Sequence, residues 1–168
     1  EVQGATDPKL KLESQESGNK RLELWIDGGT AVGYIAANQS ASSLQFQTVN
    51  NTAIEINQYQ QVTYEKAVWQ KIQAVSALEI NLANGNYFTK TISGNSTFTF
   101  VNPPPNTKVC AFTLELTHSS GTVTWPSSVK WNADTAPTLT TGKTHLFMFV
   151  TDDGGTRYRG SALVDYVN

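Results

Sequence analysis

The sequence contains a single cysteine, a single methionine and few charged residues. One cysteine excludes an internal disulfide, and the place of Cys110 in the apolar run KVCAFTLEL predicts a buried, unreactive thiol. Charged residues make up 15% of the 168 positions, against roughly 25% in a typical domain. Ser, Thr, Asn and Gln replace them at about a third of the chain. This neutral polar composition suits an extracellular or particle-associated protein.

Two classes of partner are excluded by what the chain lacks. The net charge is −2 and there is no run of Lys and Arg, so the sequence predicts no nucleic-acid binding. No apolar stretch approaches the roughly 18 residues that span a bilayer, so no membrane partner is expected. Residue 1 is Glu and no signal peptide follows, and we expect the chain to be processed or part of a longer protein.

No pattern of catalytic residues stands out. The two histidines, His118 and His145, are not spaced as metal ligands with each other or with Cys110. Ser119 follows His118 on a predicted strand, where adjacent side chains point to opposite faces, so a Ser/His pair is disfavoured. We therefore predict no catalytic, cofactor-binding or metal-binding residues, and no enzyme activity.

Short alternating runs fill residues 1–65. Each has apolar residues at every second position and is bounded by turn-forming residues, a pattern typical of short antiparallel strands. A segment of this size with one apolar face per strand buries too little surface to fold alone. It must share a core with the second half or with other copies of itself. The runs are PKLKLE, KRLELWI, AVGYIAA, SLQFQT, TAIEIN and QVTYE.

Residues 66–76, KAVWQKIQAVS, are predicted to be a junction, with a short helical turn as one interpretation. Residues 77–168 again alternate, without a helical period. In this part, KVCAFTLELTH places Cys110, Phe112, Leu114, Leu116 and His118 on one strand face. Asn84-Gly85-Asn86 and Asp152–Gly155 indicate hairpin turns, and HLFMFVT indicates a central buried strand. The fold class predicted is all-β: short antiparallel strands, with an N-terminal intertwined segment followed by a β-sandwich or meander domain.

Two tryptophans lie close together in TVTWPSSVKW, residues 122–131. Val123 and Trp125 share one strand face, and Val129 and Trp131 share another, with a proline break between them. This arrangement favours packing in a core or a subunit interface over a flat platform for a sugar ring.

The order of several short motifs in residues 85–156 resembles a module of virion structural proteins of tailed bacteriophages. The module is similar to C-terminal domains of tail fibres and related appendages, including those of cyanophages, and covers a little under half the chain. Arg157-Tyr158-Arg159 departs from it, because a Tyr-Gly or Trp-Tyr pair is expected there. The motifs are GNYF (85–88), ISGN (92–95), TFTF (97–100), NPP (102–104), FTL (112–114), TWP (124–126), VKW (129–131), APTL (136–139) and 149–156.

The resemblance implies a non-enzymatic, homotrimeric appendage on the virion tail or capsid surface, serving host attachment or decoration. It further implies an N-terminal anchor to other virion proteins, upstream of Glu1, and a host-surface glycan as a candidate ligand. Intertwined strands would also close their edges against sister chains.

Two alternatives remain open at the level of sequence. One is a carbohydrate-binding, lectin-like module of a secreted protein, and the weaker one is a fragment of a polysaccharide depolymerase. If a glycan site exists, the candidates are aromatic residues that alternation places outward: Trp25, Trp69 and Tyr158. Trp25 lies opposite Leu22 and Leu24 on its strand, which indicates a partner on that side.

Overall fold

The fold is known from a computed structural model, which describes residues 9–13, 21–27, 32–37, 44–48 and 51–167. These residues form β-strands and two short 3₁₀ helices, which confirms the all-β class. The helices are Leu82–Asn84 and Asn132–Asp134. The strands are β1 (Lys9–Glu13), β2 (Arg21–Asp27), β3 (Val32–Ala37), β4 (Leu44–Thr48), β5 (Asn51–Ile56), β6 (Val62–Tyr64), β7 (Gln73–Ala74), β8 (Glu79–Asn81), β9 (Tyr87–Ser93), β10 (Ser96–Thr97), β11 (Thr99–Val101), β12 (Cys110–Ser120), β13 (Val123–Thr124), β14 (Val129–Trp131), β15 (Lys143–Thr151) and β16 (Tyr158–Tyr166).

The chain divides into two compact units, Glu1–Val68 and Trp69–Asn168. The division falls inside the segment 66–76, where the sequence favours a junction. The helical turn considered there does not form, because residues 67–72 have no regular structure and β7 follows them. Val68 is 58% and Ile72 62% exposed, so these two apolar residues supply little of the buried face that a short helix needs.

The first unit contains two three-stranded antiparallel sheets, ordered β1-β2-β3 and β4-β5-β6. Every strand expected from the alternating runs in residues 1–65 is present. Antiparallel pairing is therefore confirmed for this unit.

The second unit is built on a six-stranded sheet ordered β14-β16-β15-β12-β9-β7. β15 lies between β16 and β12, which confirms HLFMFVT as a central strand. It is buried on one face only, because Met148 and Val150 are exposed on the other. The prediction of purely antiparallel strands is wrong here, because β14–β16, β12–β9 and β9–β7 are parallel pairs. The two small ladders β8–β11 and β10–β13 are parallel as well.

The two predicted hairpins have opposite outcomes. Residues 152–157 connect β15 to its antiparallel neighbour β16, as predicted. Thr151 Oγ1 donates to Asp153 Oδ1 at 3.1 Å, and Gly154 and Gly155 take the positive φ angles of 70° and 81° that the turn requires. The hairpin at Asn84–Asn86 is wrong, because β8 pairs with β11 and residues 82–84 form a 3₁₀ helix, leaving β9 to pair with β12 and β7.

The core of the second unit lies on one face of the six-stranded sheet. Alternate residues of β12 from Phe112 to His118 face this core, which confirms the strand face predicted from the sequence. The ladders β8–β11 and β10–β13 and the residues beside them contribute the opposing side chains Ile80, Phe98, Phe100 and Val123. Phe112 and Phe149 stack with their centroids 5.1 Å apart, and Phe100 contacts both edge-on.

Candidate functional site

The three predicted glycan contacts have different positions in the structure. Trp69 is 93% exposed at the start of the second unit. Trp25 lies in β2, and its side chain is outside what the structure describes. The outward position predicted for Tyr158 is wrong: its ring is 2% exposed and lies 5.0 Å from that of Phe100. Alternation along β16 places Arg159 outward instead, and burial raises the pKa of Tyr158.

Trp125 and Trp131 are partly buried and pack against the core, as their spacing indicated. Their rings meet edge to face with centroids 5.5 Å apart, and both lie against Phe147 and Phe149. Because these faces are occupied by other rings, the two indoles do not form an open stacking platform.

The described residues contain no group of three or more His, Cys, Asp or Glu side chains arranged to hold a metal ion. His118 and Ser119 do not form a hydrogen-bonded pair. His118 Nε2 lies 2.8 Å from the Gly121 carbonyl oxygen, and no hydrogen-bond partner among the described residues reaches His118 Nδ1.

Charged groups at the β15–β16 turn support one another. Asp152 Oδ1 lies 3.2 Å from Arg159 Nη1 and 3.4 Å from Arg157 Nη2. The hydrogen bond from Arg159 is the main cause of the lowered pKa of Asp152. These contacts stabilise an exposed turn.

Cys110 is half-buried, and desolvation raises the pKa of its thiol, which disfavours the reactive thiolate.

An open groove of 410 Å³ lies beside β7, β9 and β12. Its charged groups are already partnered. Lys90 Nζ donates to the carbonyls of Val75 and Ser76, both at 2.9 Å, and Glu115 Oε2 accepts from Tyr87 Oη at 2.7 Å. The hydrogen bond to Glu115 raises the pKa of Tyr87. The groove therefore offers few unsatisfied groups to a ligand.

The two histidines, distant in sequence, lie side by side in the core with ring centroids 6.0 Å apart. His145 is fully buried and uses both nitrogens: Nδ1 accepts from the Asp165 backbone N–H, and Nε2 donates to the Thr140 carbonyl, each at 3.2 Å. His118 is 4% exposed and uses Nε2 alone, toward the Gly121 carbonyl. No partner within the described residues reaches His118 Nδ1.

His118 also lines a pocket of 240 Å³. Sequence alternation placed His118 on the core face of β12 but gave no sign of this pocket. Its walls come from segments that are separated along the chain, so only the folded structure brings them together. The other lining residues are Gly121, Thr122, Val123, Trp125, Ala136, Pro137, Thr138 and Leu139.

The β4–β5–β6 sheet has one apolar face, and no side chain on it is buried. The strand register pairs Ile54 with Tyr64 and Ile56 with Val62, so these four share the face. Val62 is 50% and Tyr64 56% exposed, while the isoleucines are half-buried. We call this surface the β4–β6 apolar face; its residues are Leu44, Phe46, Ile54, Ile56, Val62 and Tyr64.

A second apolar surface lies on the outer face of β15 and β16. Leu146 pairs with Leu163 across these strands, and Met148 and Val150 continue the stripe along β15. Met148, Val150 and Leu163 are 43%, 36% and 51% exposed. Exposed apolar side chains grouped in this way mark a contact surface more often than scattered ones do.

Comparison with known proteins yields no match. Neither a family model, a curated protein nor a solved structure corresponds to the chain. In the part of the chain that the structure describes, none of the helices has the length and hydropathy needed to cross a membrane.

Proposed function

We propose that the chain is a structural component of a tailed-phage virion, a homotrimeric fibre or fibre-like appendage on the tail or capsid that serves host attachment or decoration. Within this proposal it acts without catalysis and joins other virion proteins through a segment preceding Glu1. The observation that carries the assembly is the β4–β6 apolar face: none of its six side chains is buried among the described residues, and Phe46, Val62 and Tyr64 are 48%, 50% and 56% exposed.

A three-stranded sheet of this size is unstable when its apolar face meets water. Sister copies of the same face offer a matching surface, since an association of identical chains buries identical patches together. Three such sheets around a common axis would enclose the aromatic side chains of Phe46 and Tyr64. The trimeric state itself is taken from the motif resemblance to phage appendages.

The outer stripe of β15–β16 supports the same proposal from the second unit. Its side chains, among them Met148 and Leu163, provide a second surface for a sister chain or a neighbouring virion protein. The neutral polar composition of the rest of the chain suits a particle protein in contact with the medium.

Light scattering of the purified chain, across a range of concentrations, tests the assembly. We expect a mass of three chains. Tyr64→Lys places a charge on the β4–β6 apolar face and should shift the mass toward one chain, because a buried, unpaired ammonium is costly. Thr63→Lys is the matched control, since Thr63 pairs with Glu55 on the opposite face.

A parent protein that is monomeric at every concentration would exclude the trimer. Equal masses for the Tyr64→Lys and Thr63→Lys proteins would exclude the β4–β6 apolar face as the interface. Antibody raised against the chain should also decorate tailed particles in electron micrographs, and failure to label any particle would count against the virion role.

The alternative of a secreted lectin-like module predicts a monomer that binds glycans. The weaker alternative of a depolymerase fragment predicts sustained release of reducing ends from capsular polysaccharide. Oligomeric mass and that assay separate the three functions.

A further inference from the structure

We propose that Asn84 is a site of spontaneous deamidation, in which the side-chain amide becomes a carboxyl and the main chain is partly rerouted through the side chain. The inference concerns the second unit alone and is independent of the assembly proposed above. Asn84 and Gly85 form the single Asn-Gly pair in the sequence. Such a pair reacts without an enzyme, because glycine has no side chain to obstruct attack by its backbone nitrogen on the preceding amide.

The reaction has two steps. In the first, the backbone nitrogen of Gly85 forms a bond to Cγ of Asn84, which closes a five-membered succinimide ring. The bond between Cγ and Nδ2 breaks, and ammonia leaves with the proton that the Gly85 nitrogen loses. In the second step, water opens the ring at either carbonyl, which gives aspartate or isoaspartate, the isomer linked through its side-chain carboxyl. The sum consumes one water and releases one ammonia, without an oxidant or a reductant.

The first observation is the freedom of the Asn84 side chain. It is exposed at the end of the first 3₁₀ helix, and its amide takes part in none of the hydrogen bonds among the described residues. Two nearby asparagines are held in place. Asn81 Oδ1 accepts from the Ala83 N–H at 3.0 Å, and Asn86 Nδ2 donates to the Ala111 carbonyl at 2.7 Å. A single 3₁₀ turn is held by few bonds, so Asn84 is able to rotate toward the geometry of attack.

The second observation is the backbone of Gly85. Its φ and ψ angles are 151° and −167°, a conformation that glycine adopts readily and other residues rarely. A Cβ at this position would lie 3.4 Å from Cγ of Gln73. The fold therefore favours glycine after Asn84, and this leaves the attacking nitrogen without a side chain to shield it.

Other residues have one of these two features but lack the other. Asp153 also precedes a glycine, yet its Oδ1 accepts from Thr151 Oγ1 at 3.1 Å and from the Arg157 N–H at 3.0 Å. Asn132 is exposed, as Asn84 is, but an alanine follows it, and the methyl group obstructs the attack. Asn84 combines an unheld side chain with a following glycine.

The product changes the chain at the start of β9. Isoaspartate adds one carbon to the main chain between residues 84 and 85, and the new carboxylate adds a negative charge to the formal net charge of −2. The next residue, Asn86, connects this segment to β12, since its carbonyl accepts from the Thr113 N–H at 2.8 Å. We therefore expect the isoaspartyl form to lose protection of the Thr113 amide against hydrogen exchange.

Incubation of the purified full chain, followed by ion-exchange chromatography and peptide mass spectrometry, tests the site. We expect an acidic form to accumulate, with isoaspartate at position 84 detected by an isoaspartyl methyltransferase. Deamidation at Asn84 should be at least about tenfold faster than at any other asparagine, a barrier lower by about 1.4 kcal/mol. The rate should rise with pH, because the attacking group is the deprotonated peptide nitrogen.

Two variants separate this reaction from other sources of charge. Asn84→Gln should leave no acidic form, since the longer side chain would have to close a less favourable six-membered ring. Asn132→Gln is the matched control and should form the acidic species at the parental rate. Both positions are exposed, so thermal unfolding should show parental stability for each protein.

An acidic form that persists in the Asn84→Gln protein would contradict the site. So would a folded parent that stays unmodified while the protein unfolded in guanidinium chloride deamidates at Asn84, because the fold would then protect the amide. Unchanged exchange of the Thr113 amide in the isoaspartyl form would refute the effect on β9. None of these measurements depends on oligomeric mass, so failure here is distinct from failure of the proposed assembly.

Discussion

The indole of Trp125 stacks on the ring of Phe98, with centroids 5.3 Å apart and planes inclined by 16°. Phe98 is 1% exposed and lies between β10 and β11. Trp125 therefore connects the small ladders to the six-stranded sheet, where its ring centroid lies 4.6 Å from that of Phe147.

Trp125→Ala is expected to lower the free energy of unfolding by about 3 kcal/mol or more, because it leaves a cavity against Phe98 and Phe147. Urea denaturation measures the change. Trp69→Ala is the control: at 93% exposure it should alter the stability of the chain by no more than about 0.5 kcal/mol. Equal effects of the two substitutions, or a Trp125→Ala protein of parental stability, would contradict the packing role.

Gly121→Ala is expected to destabilise the fold more than Gly142→Ala. Both glycines have positive φ angles, 91° and 80°, and a side chain at either is strained by roughly 1–2 kcal/mol. A Cβ at Gly121 would also overlap the backbone carbonyl of Gly94, whereas nothing lies within 4 Å of a Cβ at Gly142. Thermal unfolding of both proteins measures the difference, which reports the overlap with Gly94. Equal losses of stability in the two proteins would refute a steric role for Gly121.

The Asp152 carboxyl should titrate below its ordinary pKa of 3.8. Because the folded-state pKa is depressed, its ionisation favours the folded state above pH 3.8, and this contribution is lost as the pH falls through the folded-state pKa. Arg159→Gln should raise the Asp152 pKa toward 3.8, and Arg157→Gln should raise it less. Carboxyl carbon resonances followed against pH measure both, and the reverse order would show that Arg157 is the main partner.

A fragment of residues 69–168 is expected to fold alone. All buried hydrophobic side chains of the described residues lie between Ile80 and Tyr158, and about 100 residues suffice for a stable core. Circular dichroism with urea should show one cooperative transition.

A fragment of residues 1–68 should instead require high concentration to gain structure, and a stable monomer of that fragment would remove the need for a shared core.

Alternation located most strands of this fold because it depends only on neighbouring residues. The period of two along β12 assigned Phe112, Leu114 and Leu116 to one face, and all three are buried. The run HLFMFVT identified a central strand, but only its inward side chains such as Phe147 and Phe149 are buried, while Met148 and Val150 are exposed on the outer face. These properties are local, so they can be recognised without knowledge of the partner strand.

Pairing is different, because a strand face does not specify which strand lies beside it. Asn84–Asn86 has the composition of a hairpin, yet β8 pairs with β11, some twenty residues away, in parallel. Tyr158 shows the same limit at the level of one residue: its register with Val129 in β14 turns it inward.

The sequence by itself determined that the chain is all-β and which strand faces are apolar. The tertiary structure decided the parallel order of the second unit and the meeting of His118 with His145, Trp125 and residues 136–139. These residues come together only when β15 pairs with β12, because residues 136–139 belong to the connection between these two strands. Contacts of this kind depend on long-range pairing, which the local period of a strand does not encode.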